Sequence, residues 1–197
     1  VLDAKKLSFK LHIDAAFGGF IYPFTNPNSN HNFSNPWVSS VSIDGHKMLQ
    51  TPYGTGIFLI RKGFMQYVAN KNAQYVPGLD YTLCGSRSGA NAIVIWMQLM
   101  NYGSKGWIKK MDELIDRTNY LCNELENLNI EFYRNPHINI VTIKANHITT
   151  ELASKYELVA DSYEQFPLWW KIVVMDHVTK DLLKSFIKDL EHCKVRA

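Results

Sequence analysis

The 197-residue chain is 46% hydrophobic, 13% aromatic and 20% charged, enough apolar material for one sizeable core and too much for intrinsic disorder. Its formal charge of +3 comes from 21 basic and 18 acidic residues, with basic runs no longer than pairs such as Arg61-Lys62, which is no nucleic-acid footprint. Cys84, Cys122 and Cys193 stand at no metal-ligand spacing, and the apolar run at 92–100 is short and interrupted by Gln98; these features point away from a zinc domain, a disulfide scaffold and a membrane span, and the expectation is reduced thiols in a cytoplasmic protein.

The chain starts at Val1, not Met, and is in a strand pattern within a few residues, so the expectation is the later part of a longer polypeptide. Leu7, Phe9, Leu11 and Ile13 alternate with Ser8, Lys10, His12 and Asp14, the period-two signature of a half-buried strand. The strand runs into Ala15-Ala16-Phe17-Gly18-Gly19, small residues that let another group approach the backbone closely. A polar, Asn-rich loop over 25–36 precedes a second strand, Trp37 to Ile43, which leads into Asp44-Gly45-His46-Lys47. Gly56 to Arg61 reads as a third strand, and 70–84, with Pro77-Gly78, as a loop.

Gly85-Ser86-Arg87-Ser88-Gly89 then opens a helix that is apolar almost all round, with Ile93, Val94, Ile95, Trp96, Met97, Leu99 and Met100; such a helix belongs in a core or an interface. Gly103 is expected to stop it. A second, amphipathic helix follows from Trp107 to Leu128. Beyond Ile130 short elements alternate: strands at 131–133 and 138–143, a helix at 150–158, a strand at 169–175, and a helix at 181–192 capped by Thr179. The organisation expected is a first domain over 1–103, a long connecting helix over 104–129 and a small α+β domain over 130–197.

Three places can carry chemistry. Asp14 lies on one face with His12 at the C-terminal end of a strand, where open α/β sheets bind ligands; it reads either as a carboxylate ending a strand or as a ligand group beside a small-residue floor. Lys47, delivered in a loop beside His46, is either a solvated lysine or an amine able to form a Schiff base with a carbonyl. The 85–89 segment is either an ordinary N-cap or an anion cradle of hydroxyls, an arginine and helix N-terminal N–H groups. A Schiff-base lysine, a carboxylate and an anion cradle together suit pyridoxal phosphate, whose aldehyde, ring nitrogen and phosphate need one partner each.

These residues, His12-Ile13-Asp14-Ala15-Ala16-Phe17-Gly18-Gly19, Ser42-Ile43-Asp44-Gly45-His46-Lys47-Met48 and Thr82-Leu83-Cys84-Gly85-Ser86-Arg87-Ser88-Gly89, with Asp14 and Lys47 33 positions apart, resemble the group II pyridoxal-phosphate-dependent amino-acid decarboxylases. The likeness is to the archaeal-type tyrosine/aspartate decarboxylases and the bacterial histidine and plant serine decarboxylases, and the tail Lys171-Ile172-Val173-Val174-Met175-Asp176-His177 resembles theirs as well. The resemblance implies an α/β, fold-type I, aspartate aminotransferase-like architecture: the second part of the pyridoxal-phosphate-binding large domain plus a C-terminal α+β small domain. It also implies a homodimer with shared active sites, an amino-acid substrate, and decarboxylation to the primary amine and carbon dioxide, with tyrosine, aspartate, glutamate, histidine and serine as candidates.

By position, Lys47 would form the Schiff base, Asp14 would bind the pyridine nitrogen, Ala16 would pack on the ring and His46 would contact the phosphate. Ser86, with Arg87 beside it, would reach the phosphate of the neighbouring subunit. Tyr75 and Tyr81 lie where relatives supply the proton donor. Lys171 stands where relatives often carry an arginine for the substrate carboxylate, and offers a point charge in place of a bidentate fork; Asp176 replaces a usual proline. The family's phosphate loop and second ring-stacking residue belong to an N-terminal half that these 197 residues do not include. The motifs are shared with sphingosine-phosphate lyase and with tRNA-dependent cysteine synthases, so another lyase of the superfamily, or a non-catalytic fragment needing its N-terminal half, is the alternative.

Overall fold

The computed structural model describes residues 7–70, 74, 77–82, 87–163 and 165–194. The chain divides into two compact units, Val1–Trp107 and Ile108–Ala197. No helix among the described residues is long and apolar enough to cross a membrane.

The first unit is built on a three-stranded sheet in the order β1 (Leu11–Asp14), β2 (Val38–Asp44), β3 (Gly56–Ile60). β1 and β2 are parallel, with Asp14 opposite Ser42, and β3 returns antiparallel to β2. The first strand is shorter than its alternation suggests. β2 begins only at Val38, so residues before Leu11 have no ladder partner, and Phe9 instead stacks on Trp37 with ring centroids 4.9 Å apart. The β1–β2 crossover carries a short helix, α1 (Tyr22–Thr25), which sequence periodicity did not reveal because it spans one turn. Arg61 fastens the Asn-rich loop to β2, its guanidinium donating to the carbonyls of Val38, Phe33 and Asn35 at 2.9, 3.2 and 2.9 Å.

The long helical element α2 (Gly89–Asn127) is interrupted at Gly103, whose φ of 57° and ψ of −179° lie outside helical space. That conformation belongs essentially to glycine, and the break falls at the position the sequence marks. Before it, the helix turns Val94, Ile95 and Gln98 inward to half-burial, with Gln98 Nε2 donating to the Gln50 carbonyl at 3.5 Å. The remaining apolar side chains are not buried: Ile93, Trp96, Met97 and Met100 are 60, 61, 55 and 64% exposed.

The second unit joins the C-terminal stretch of α2 to an antiparallel sheet in the order β4 (Phe132–Arg134), β5 (Ile140–Lys144), β7 (Trp169–Val173), β6 (Val159–Ala160), with helices α3 (Thr150–Lys155) and α4 (Lys180–Lys194). Leu121 and Leu125 of α2, Val141 and Ile143 of β5, Ile172 of β7, and Leu183, Phe186 and Leu190 of α4 form one closed core. The α4 residues recur at helical spacing, so a single face is buried. Thr149 and Thr179 cap α3 and α4, their hydroxyls accepting from the N–H groups of Leu152 and Leu182, each at 3.2 Å. Asp176, the proline replacement, has a structural role here: it pairs with Lys110 and, at 4.0 Å, with Arg117, which also donates to the carbonyls of Met175, Asp176 and Val178 at 3.4, 3.1 and 2.8 Å.

Candidate active site

Because β1 and β2 run parallel, the residues that follow them emerge at the same end of the sheet, the end at which open α/β sheets bind ligands. The two exits are stitched together. Ala15 N–H donates to the Ser42 carbonyl at 2.9 Å, and Asp44 N–H donates to the Ala16 carbonyl at 3.0 Å. Asp14 is exposed, and its Oδ1 accepts the Ala16 N–H at 3.1 Å, a local turn that sets the carboxylate at the strand end. Small residues after it serve packing as well as access: a Cβ on Gly19 would lie 2.6 Å from Ile43 Cγ1 and 3.0 Å from Ala15 Cβ, so the turn sits directly on β2.

Lys47 is brought back over the end of β2 by a tight turn, with its N–H donating to the Asp44 carbonyl at 3.3 Å. Its Nζ lies 2.8 Å from Asp44 Oδ2, with the lysine side chain 40% exposed. His46 Nδ1 is 3.1 Å from the Thr55 carbonyl, an acceptor only, so Nδ1 carries the proton and Nε2 faces Asp44 Oδ2 at 3.8 Å. Gly45 makes the turn possible, since a Cβ there would meet the hydroxyls of Thr51 and Thr55 at 2.7 and 2.8 Å; those two hydroxyls are hydrogen-bonded to each other, and Thr55 donates on to the Pro52 carbonyl at 2.9 Å.

Asp44 was not singled out in the sequence. Its signal was present, a carboxylate three residues before the lysine, but three-residue spacing in a loop does not say that two side chains meet. His12, on the same face as Asp14, has Nδ1 2.8 Å from Ser40 Oγ and Nε2 3.4 Å from Ser42 Oγ, so both ring nitrogens are held by hydroxyls of β2. The site residues Asp14, Ala16, His46 and Lys47 thus gather at one sheet end. Tyr81 is 43% exposed, directly after the isolated bridge between Asn70 and Asp80, and Arg87 is exposed just ahead of α2. Tyr75 and Ser86 lie outside the described residues. Lys171 belongs to the second unit, on β7 opposite Thr142 and Val159, where with His177 and Tyr156 it lines a cleft of about 370 Å³.

The donor set fits pyridoxal phosphate in kind: a half-buried primary amine for an aldehyde, an exposed carboxylate for a protonated ring nitrogen, and an imidazole and a guanidinium for a phosphate. Comparison with known proteins leads to the same chemistry. A family model described as the pyridoxal-dependent decarboxylase conserved domain matches residues 3–145. The tryptophan decarboxylase of Clostridium sporogenes is 47% identical over 98% of this chain and 48% of its own length. A probable L-tyrosine/L-aspartate decarboxylase of Methanocella arvoryzae is 34% identical over 95% of this chain and 51% of its own. The chain therefore spans about half the length of the curated relatives it matches. Among solved structures, sphingosine-1-phosphate lyase of Burkholderia pseudomallei superposes with a TM-score of 0.80 at 18% identity, covering 100% of this chain and 47% of that one. Glutamate decarboxylase of Lactobacillus brevis gives 0.77 at 20%, covering 96% and 47%. At such identities the likeness speaks for the fold, and it bears out the fold-type I architecture expected from the sequence.

Proposed function

Since the chain belongs to the pyridoxal-dependent decarboxylase family, we propose that it forms the lysine-bearing half of an active site that converts an L-amino acid and a proton to the primary amine and carbon dioxide. The observation that carries the reading is the delivery of Lys47 and Asp14 to one end of a parallel strand pair. Lys47 would hold the cofactor's aldehyde carbon and Asp14 its ring nitrogen. His46 would hold the phosphate, and Ser86 with Arg87 the phosphate in a neighbouring subunit of a homodimer. Pyridoxal phosphate, when bound, supplies the electron sink for the pair left behind as carbon dioxide departs.

The protein's own groups set the conditions for that step. The Asp14 carboxylate would favour a proton on the ring nitrogen of the bound cofactor by charge and hydrogen bonding. Asp44, 2.8 Å from Lys47 Nζ, orients the amine at the end of β2. Tyr81 and Tyr75 are the proposed proton donors to the substrate carbon, and Lys171 the partner of the substrate carboxylate. The 47% identity to a tryptophan decarboxylase adds tryptophan, and aromatic side chains generally, at the head of a substrate list on which tyrosine, aspartate, glutamate, histidine and serine already stand. The complete site includes an N-terminal half of family length, on the same chain or a separate one.

The test is visible absorbance with added pyridoxal phosphate, followed by borohydride trapping and peptide mapping. It is run on the 197-residue chain alone and together with the part of the Clostridium sporogenes relative that this chain does not match. A trapped label on Lys47, absent in Lys47→Ala, supports the reading, and an amine-release screen over the six amino acids then assigns the substrate. No label in either sample defeats it.

A further inference from the structure

We propose that His12 is a positioning residue: its imidazole, tied to Ser40 and Ser42, fixes the register that carries Asp14 to the ligand-binding end of the sheet. The inference rests on the decarboxylase reading and adds to it the group that presets the carboxylate meant for the ring nitrogen.

The need for such a tie comes from β1 itself. The strand has four residues, and its parallel ladder with β2 is irregular at the start: Leu11 pairs with Val38 but His12 with Ser40, so Ser39 is passed over. An extra residue of this kind disrupts a ladder locally and re-aims the side chains beyond it. Beyond it only His12 with Ser40, Ile13 with Val41 and Asp14 with Ser42 remain paired. A slip of one residue there would send Asp14 to the opposite face.

His12 is the first residue past the irregularity, and its side chain grips the register that follows. Nδ1 lies 2.8 Å from Ser40 Oγ and Nε2 3.4 Å from Ser42 Oγ, so one ring holds two residues of β2 at alternate positions. The imidazole also lies 6.1 Å, centroid to centroid, from the ring of Phe58, which stands opposite Ser42 on β3. A one-residue slip would take both hydroxyls away from the ring.

From Ser42 the tie continues to the carboxylate. The Ser42 carbonyl accepts the Ala15 N–H at 2.9 Å, and the next N–H, that of Ala16, donates to Asp14 Oδ1 at 3.1 Å. His12, Ser42, the Ala15-Ala16 turn and Asp14 thus form one connected set across two strands. His12 acts through Asp14, whose direction at the strand end decides whether its charge reaches the ring nitrogen.

The test begins without cofactor, with amide hydrogen exchange read by NMR on the full 197-residue chain. In His12→Ala the Ala15 and Ala16 amides should exchange about tenfold faster. The Lys47 amide, which donates to the Asp44 carbonyl in the neighbouring turn, should keep its rate. His12→Gln, whose amide can bond a serine hydroxyl, should recover most of the protection. Ser42→Ala keeps the imidazole and should reproduce the loss in milder form, so the result does not hang on one variant. A double-mutant cycle then measures pyridoxal phosphate affinity by absorbance, with the chain mixed with the unmatched part of the Clostridium sporogenes tryptophan decarboxylase. His12→Ala should weaken binding about tenfold in the wild-type background and by less than about twofold in the Asp14→Asn background, where the charge to be positioned is gone. The proposal is overturned if Ala15 and Ala16 stay protected in His12→Ala, if Lys47 loses as much protection as they do, if His12→Gln protects no better than His12→Ala, or if the two losses of affinity add. No absorbance band in any sample defeats the decarboxylase reading, and the exchange rates then decide the role of His12 by themselves.

Discussion

The two units solve the burial problem to different degrees. Among the described residues, eighteen apolar side chains of the second unit are buried against seven large ones exposed, whereas in the first six are buried and sixteen exposed. Yet the first unit holds the lysine, the carboxylate and the histidine, while the second holds of the candidate residues only Lys171. Burial of apolar surface is the main favourable term in folding, so among the described residues the unit with the chemistry gains less from that term than its neighbour in the chain.

The sharpest way to test that contrast is a pair of truncations in the chain alone. Leu125→Ala, at a fully buried position of the second unit's core, should cost about 2–5 kcal/mol, read from the urea midpoint. Met97→Ala, at a 55% exposed position, should change stability by no more than about 0.5 kcal/mol. Equal costs would mean that Met97 is packed as tightly as Leu125. Next in size is Gly45→Ala. Its Cβ would press on the Thr51 and Thr55 hydroxyls, and the overpacking should cost about 1–3 kcal/mol, with faster amide hydrogen exchange in β2 and β3 and unchanged exchange in β5 and β7. A loss spread over both units would blur the comparison.

A further effect is a pH effect confined to the second unit. Burial, and then the hydrogen bond to Asp189 at 2.7 Å, pushes the Tyr156 phenol from 10.0 up to about 12. A group whose value is raised in the folded state contributes stability that is full below its unfolded value and lost as pH rises through the folded one. Stability of the second unit should therefore fall between about pH 10 and 12, and Tyr156→Phe should remove that fall. Asp189 acts at the other end: the Lys155 and Tyr156 hydrogen bonds hold its carboxyl below its ordinary value, so its contribution is present above the unfolded value and is lost as pH drops through the folded one. Thermal melts across both limbs read the two effects, and an alkaline fall that persists in Tyr156→Phe rules out this assignment.

Much of the site was legible because its parts are local. Period-two alternation placed Asp14 at a strand end, and Gly45-His46-Lys47 followed a strand directly. What escaped was pairwise. Asp44 reaches Lys47, His12 is held by Ser40 and Ser42 on the next strand, and Asp176 joins Lys110 and Arg117 from far along the chain. Each depends on register or on a turn that brings distant residues together, and no spacing rule carries that information.

The apolar helix around Trp96 teaches the same division. Its composition led to the expectation of a core or an interface, and in the structure Ile93, Trp96, Met97 and Met100 are more than half exposed. Which side chains are half-buried (Val94, Ile95 and Gln98) and which four remain outside is seen only in the folded unit. Residue chemistry, periodicity and the Gly103 break were set by the sequence alone, since short-range sterics and side-chain polarity act within a few residues. The meeting of Lys47 with Asp44, the alignment of two strand ends and the exposure of those four side chains were decided by tertiary structure, since only folding sets the distances over which charges and apolar surfaces act.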